Sequence, residues 1–276
     1  MQTPSTRPAG RGAQSFSRNF LSDVVIDYGP RDVLSRLFLK ADTELREQGV
    51  ELSFAAPESL IELNRLNRAS WRPLVSIFNA EVGGFTNENG FVLVGKNSSG
   101  EVVVTQALRL YSLGKTTLRE EAESLRLFYA DPERSKGPNE TCTMTCPTAS
   151  NFTGRITYSG AVWYRPDYRK LGLTSIVGRV AKAYGFSKWY TDLTLTLMIE
   201  DVFAGGTAAR AGFSHSEWEV SMKDTPLGSA RAAIVWIEAN EMLDYLVRYL
   251  DRPHSKVDAA VDDRASHQQG SVGRAV

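Results

Sequence analysis

"WYRPDYRKLGLTSIV", residues 163–177, runs a predicted strand into Pro166 and opens a helix a few residues later, with Arg169, Lys170 and Gly172 at the joint. Proline cannot donate to a β-ladder, so the strand stops there. Beyond Arg169, the amides near Leu171 to Thr174 are the first of a helix and lack partners within it. Those donors, the positive end of the helix dipole and two cations suit an anion such as a pyrophosphate. Gly172 would let an oxygen approach the backbone with no side chain in the way. The same residues also read as solvated surface charges beside a simple turn.

The pattern on either side is mixed α and β. Upstream, "RDVLSRLFLKADTELREQG" sets Val33, Leu34, Leu37, Phe38, Ala41 and Leu45 on one helical face and stops at Gly49. "VELSF" reads as a strand, and Pro57 opens a second helix toward Trp71. "FVLVGKNSSGEVVVTQALRLYSL" is a hairpin around a Gly/Ser/Asn turn. Thr117 and Glu120 form a capping box for a helix carrying Leu118, Ala122, Leu125 and Phe128. Residues 130–155 read as turns, and "ITYSGAVWY" leads into the opening stretch. Tyr158 and Tyr164 fall on one face of that strand by simple alternation. Downstream, a helix buries Leu173, Ile176, Val177, Val180 and Tyr184. "LTLTLMI" then alternates, with Leu193, Leu195, Leu197 and Ile199 on one side. A short helix ends at Gly212-Phe213, "WEVSMK" and "AAIVWIEA" pair, and "NEMLDYLVRYL" closes the fold.

These elements predict one domain over 21–251, between disordered tails at 1–20 and 252–276. The first tail lacks acids, as transit peptides do, but shows no amphipathic period. Thirty-two basic residues balance thirty-two acidic ones, which argues against a whole-protein nucleic-acid surface. The apolar segments are short and interrupted by charge, so no membrane span is expected. Cys142 and Cys146 have no second pair to complete a metal site and read as reduced thiols in a loop of a cytoplasmic protein.

A rival phosphate site is "LGKTT" at 113–117, the tail of a P-loop. The motif needs a glycine five residues before Gly114, and Arg109 stands there instead. Thr116 or Thr117 as a helix cap accounts for it more simply.

The stretch Arg169-Lys170-Leu171-Gly172-Leu173-Thr174, after a strand ending "VWYRPDY", resembles the acetyl-coenzyme A loop of the GCN5-related N-acetyltransferases. The alternating strand at 193–199, the short helix and "AARAGF" follow in the family's order, and the likeness covers roughly residues 30–240. The resemblance implies a mixed, mostly antiparallel sheet with helices on both faces, its fourth and fifth strands (156–164 and 193–199) splayed. It implies that Val162, Trp163 and Tyr164 pair with the pantetheine arm of acetyl-CoA, and that Arg169, Lys170, Leu171, Gly172, Leu173 and Thr174 take the pyrophosphate. The implied chemistry is direct attack of an amine on the thioester, with a base, an oxyanion donor and a proton for the thiolate.

The sequence departs from the family in three places. Thr174 replaces a small residue, Ala208 stands where a tyrosine is common, and the strand before the loop carries no carboxylate. Glu200, Asp201 and His215 are the substitutes that position suggests, against helix capping by Asp201 and a solvent-facing edge role for His215. No metal is implied. The acceptor is an amine, small molecule or peptide, with the 113–155 segment as a lid over it, and a homodimer stays among the options. A domain that binds coenzyme A or a protein without turnover is the alternative function.

Overall fold

Helical and alternating spacings sort the apolar residues onto two sides of one sheet, and each side carries its own core. The computed structural model describes residues 19–251. Residues 1–18 and 252–276, most of the expected tails, lie outside that range. Phe20, at the expected edge of the first tail, is buried in α1 (Phe20–Asp23).

The strands are β1 (Glu51–Ala55), β2 (Gly90–Lys96), β3 (Val102–Leu113), β4 (Thr141–Met144), β5 (Gly154–Tyr164), β6 (Leu193–Ile199), β7 (His215–Thr225) and β8 (Gly228–Glu238). They form an open sheet in the order β1-β2-β3-β5-β6-β8-β7-β4. Among the described residues every neighbouring pair is antiparallel except β5 with β6. The sheet is therefore mixed and mostly antiparallel, as expected.

One face is covered by α1, α2 (Arg31–Glu47), α7 (Leu173–Trp189) and α10 (Ala239–Leu250). The helical stripe read from the sequence holds: Leu34, Leu37, Phe38, Ala41 and Leu45 are all buried on this side. The other face is covered by α3 (Ser59–Leu66), the 71–85 segment with α4 (Ala80–Gly83), and α5 (Leu118–Glu123). The remaining helices are α6 (Pro132–Ser135), α8 (Glu200–Ala204) and α9 (Thr207–Arg210). No helix among the described residues is long and apolar enough to cross a membrane.

Two local expectations change. The capping box of Thr117 and Glu120 is present, but α5 ends at Glu123, because Leu125 turns left-handed at φ 63° and breaks the helical run before Phe128. Residues 130–155 are not only turns. Thr141 to Met144 add strand β4 beside β7, and the two thiols are core groups: Cys142 is buried in β4 and Cys146 is buried just after it. Burial pushes the Cys142 thiol up to about 12, so it stays protonated and inert.

Helix α7 carries the one lysine that the core encloses completely among the described residues. Lys182 is 1% exposed, donates to the Ala211 carbonyl and sits over the Phe213 ring at 4.7 Å. Burial, aided by the Arg179 charge, pulls its ammonium from 10.5 down to about 7. Above that pH the folded chain has released a proton that the unfolded chain holds until near 10.5. The unfolded state binds more protons across this window, so stability rises with pH from about 7 upward. We expect the parent to gain about 2–3 kcal/mol between pH 7 and pH 9 from this group. Lys182→Met should flatten that rise and be the more stable protein at pH 6, as thermal melts at several pH values would show. Equal pH slopes in both proteins would refute this account of Lys182.

Candidate functional site

Strands β5 and β6 run side by side for three rows only: Ile156 opposite Leu193, Thr157 opposite Thr194 and Tyr158 opposite Leu195. Beyond that row they part, although β5 continues to Tyr164 and β6 to Ile199. Each keeps its other neighbour, β3 for β5 and β8 for β6, as far as those ends. The result is a fork whose inner edges do not pair with one another. At its base the Tyr158 hydroxyl accepts the Leu197 amide at 3.1 Å, where continued pairing would have set Gly160.

A bulge shapes the β5 arm. Ala107 faces Gly160 and Thr105 faces Trp163, so β5 carries one extra residue here, and Ala161 has φ 49°. The extra residue reverses the alternation. Tyr158 and Trp163 therefore lie in the core on the α3 side, while Tyr164 lies in the core under α7. This corrects the expectation that Tyr158 and Tyr164 share a face. Val162 is exposed, whereas Trp163 and Tyr164 are buried, so only backbone groups of those two can meet a ligand. The Tyr164 hydroxyl is buried, with the Thr174 side chain at the start of α7 beside it.

The loop after β5 has the predicted character. Pro166 starts a single 3-10 turn, Lys170 and Gly172 both have positive φ (65° and 72°), and α7 begins at Leu173. The helix has no side-chain cap, and a Cβ placed on Gly172 would meet nothing within 4 Å. Space and uncapped donors thus coincide at the positive end of a helix 17 residues long. Lys170, Leu171 and Gly172 are exposed, Leu173 is buried and Thr174 is half-buried.

Two arginines flank this turn, and their charges differ in availability. Arg165 is neutralised by Asp167 and Glu101, each at 2.8 Å. Arg169 instead donates to two carbonyl oxygens, Tyr164 at 3.0 Å and Ser70 at 2.8 Å. Carbonyls hold the guanidinium in place without cancelling its charge, so Arg169 remains the cation an anion in this loop would meet.

Ser70 belongs to a short strap that the sequence did not reveal as part of the site. Its hydroxyl accepts the Trp163 indole at 3.1 Å, and Trp71 stacks on Trp163 with centroids 5.4 Å apart at 15°. Arg72 reaches Asp201 at 3.7 Å. Residues 70–72 thus join the end of β5 to the start of α8. The available signal was the end of the α3 pattern at "NRASWRP", where the helix stops at Leu66.

The three catalytic candidates do not converge. Glu200 and Asp201 open α8 directly after β6, on the arm of the fork opposite the loop, and both are exposed. Asp201 does not cap that helix, whose N-cap is Ile199 with no side-chain bond. His215 starts β7, separated from β6 by β8. Its ring stacks on Trp236 and its Nε2 lies 2.8 Å from a Glu241 oxygen. Ala208 packs in a small apolar cluster with Met198 and Val235. Of the P-loop residues, Arg109 is buried in β3 and Thr117 caps α5.

No protein-family model and no curated protein matches the sequence. Among solved structures, the spermidine/spermine N-acetyltransferase SpeG from Vibrio cholerae is similar over 72% of this chain and 98% of its own, at 8% identity and a TM-score of 0.45. Arabidopsis thaliana NAA60, in complex with acetyl-CoA, is similar over 69% of this chain and 99% of its own, at 14% identity and a TM-score of 0.41.

The strap gives a direct test of what holds the site. Trp71 is 7% exposed and stacked, so Trp71→Ala should cost about 3–5 kcal/mol of stability. Arg72→Ala breaks only an exposed pair and should cost less than about 1 kcal/mol. Urea midpoints would distinguish them, and similar losses in both would show that the strap is not anchored by its indole.

Proposed function

We propose that this chain is a coenzyme A-dependent N-acetyltransferase of the GCN5-related type, acting on the amine of a small molecule or peptide. The observation that carries the reading is the fork between β5 and β6, with an uncapped helix N-terminus and an uncompensated arginine at the end of its β5 arm. An extended amide chain fits an unpaired strand edge, and a pyrophosphate fits the turn. In this reading the backbone of Val162, Trp163 and Tyr164 would hold the pantetheine arm. The loop from Arg169 to Thr174 would hold the phosphates, with Lys170 adding charge and Leu171 and Leu173 contributing backbone amides.

Acetyl-CoA would supply an activated thioester carbonyl. The chain's own part is to orient it, take a proton from the amine and give one to the departing sulfur. Glu200, exposed where β6 ends, is the carboxylate we assign to the first task, acting through water; Asp201 is engaged with Arg72. His215, on β7 and three strands from the β5 arm, is held by Glu241 and is left out of this scheme. For the second task the residue at the fork is Tyr158. Its oxygen accepts the Leu197 amide, its hydroxyl also meets the Thr196 side chain, and burial raises its pKa so that it stays protonated. A domain that binds coenzyme A without turnover is the second reading, favoured by Ala208 packing into an apolar cluster where a donor would otherwise stand.

Calorimetric titration with acetyl-CoA, followed by thiol release on a panel of amines, separates these readings. Binding with thiol release supports the enzyme, binding without release supports the second reading, and no binding ends both. Arg169→Ala should weaken acetyl-CoA binding about 10- to 100-fold by removing a charge-assisted hydrogen bond of about 1.5–3 kcal/mol. Gly172→Val should weaken it further, since it places a branched side chain at positive φ in the open space. Lys115→Ala should change nothing. Dephospho-coenzyme A should share the sensitivity to Arg169→Ala and pantetheine should not. If both Arg169→Ala and Gly172→Val bind as the parent does, the turn holds no phosphate.

A further inference from the structure

We infer that the fork admits only short acyl groups and that Phe78 sets the limit, an inference that rests on the coenzyme A reading above. Helix α7 and its N-terminus lie on one side of the sheet. A thioester carried through the fork from that end emerges toward the other side, so the acyl chain would extend into the core on the α3 side.

That side is filled with aromatic rings at the level of the fork. Phe78 is fully buried, and its ring lies so close to the β5 backbone that a Cβ on Gly160 would overlap it. It packs edge-on to Tyr158 at 6.0 Å and to Phe85 at 5.3 Å. Tyr158 closes the base of the fork through Leu197, and the stacked Trp163 and Trp71 occupy the same face further along β5. Phe78 cannot readily move aside. It ends a 3-10 turn (Ser76–Phe78) whose Ile77 carbonyl accepts from the buried Arg109 guanidinium at 3.0 Å. Glycine at 160 is what allows the ring to sit against the strand, so Phe78 takes the volume next to the β5 arm that added methylenes would need.

A close-packed wall of this kind discriminates by size, because each extra methylene must displace a neighbour. An acetyl group asks for little room, whereas a six-carbon chain must push Phe78 out of its place. The limiting residue thus comes from the connection between β1 and β2, far in sequence from the cofactor loop.

The test uses competitive calorimetry with coenzyme A and its acetyl, butyryl and hexanoyl thioesters, on the parent, Phe78→Leu and Phe78→Ala. In the parent, hexanoyl-CoA should bind at least tenfold more weakly than acetyl-CoA. Phe78→Ala should bring that ratio below about threefold, with Phe78→Leu between. Should Phe78→Ala fail to fold, the milder Phe78→Leu decides. A parent that binds hexanoyl-CoA as well as acetyl-CoA, or a ratio unchanged in the folded variants, overturns the size limit and leaves the coenzyme A reading standing. Absence of binding by coenzyme A itself removes that reading, and this inference with it.

Discussion

Everything at the site depends on where β5 and β6 stop pairing. Unpaired backbone amides and carbonyls are costly when water is excluded, so a sheet normally zips to its ends. Here it stops after three rows. One cause is visible: the Leu197 amide donates to the Tyr158 hydroxyl, so a side chain takes the acceptor place that a strand would have filled. The bulge at Ala161 then turns the β5 arm, and each arm is held by its outer neighbour rather than by the other. The inner edges are left for water or for a ligand with its own amides.

The bulge also decides which chemistry faces which way. Without the extra residue, Trp163 would point under α7 and Tyr164 toward the strap. With it, the Trp163 indole stacks on Trp71 and bonds Ser70, and Arg169 fastens the same strap from the loop side. One residue inserted in β5 thereby ties the turn, the fork and the 70–72 segment into one unit. A carbonyl of Ser70 thus fastens the strap to the turn.

Much of the architecture was legible because spacing alone reports burial. The α2 stripe, the β2–β3 hairpin, the α5 capping box and the alternation of β6 each follow from local pattern. The opening turn was legible for the same reason, since Pro166 and Gly172 act on the backbone wherever the chain goes. What alternation could not reveal was the bulge, because Ala161 and Val162 carry no unusual composition. It therefore misassigned the face of Tyr164. The strap and Phe78 were hidden differently: their roles exist only through partners more than 80 residues away, Trp163 and Gly160. β4 was missed because its four residues sit among turn formers and gain their strand state from β7.

The distribution of charge separates scaffold from site more sharply than motif does. Arg179 is buried, but its guanidinium lies over the Tyr249 ring at 4.1 Å and bonds the Tyr245 hydroxyl, and Tyr249 in turn bonds Glu44. Arg165 has two carboxylates. Arg179 is thus bonded inside the core, and of the two only Arg165 has its charge cancelled by carboxylates. Arg169 is fixed by neutral oxygens at the mouth of an uncapped helix, which keeps its position while leaving its field intact. A side chain meant only to brace the strap would gain more from a carboxylate partner than from two carbonyls, since hydrogen bonds between charged groups are the stronger ones. Orientation without neutralisation is the arrangement that the phosphate site proposed for this turn requires.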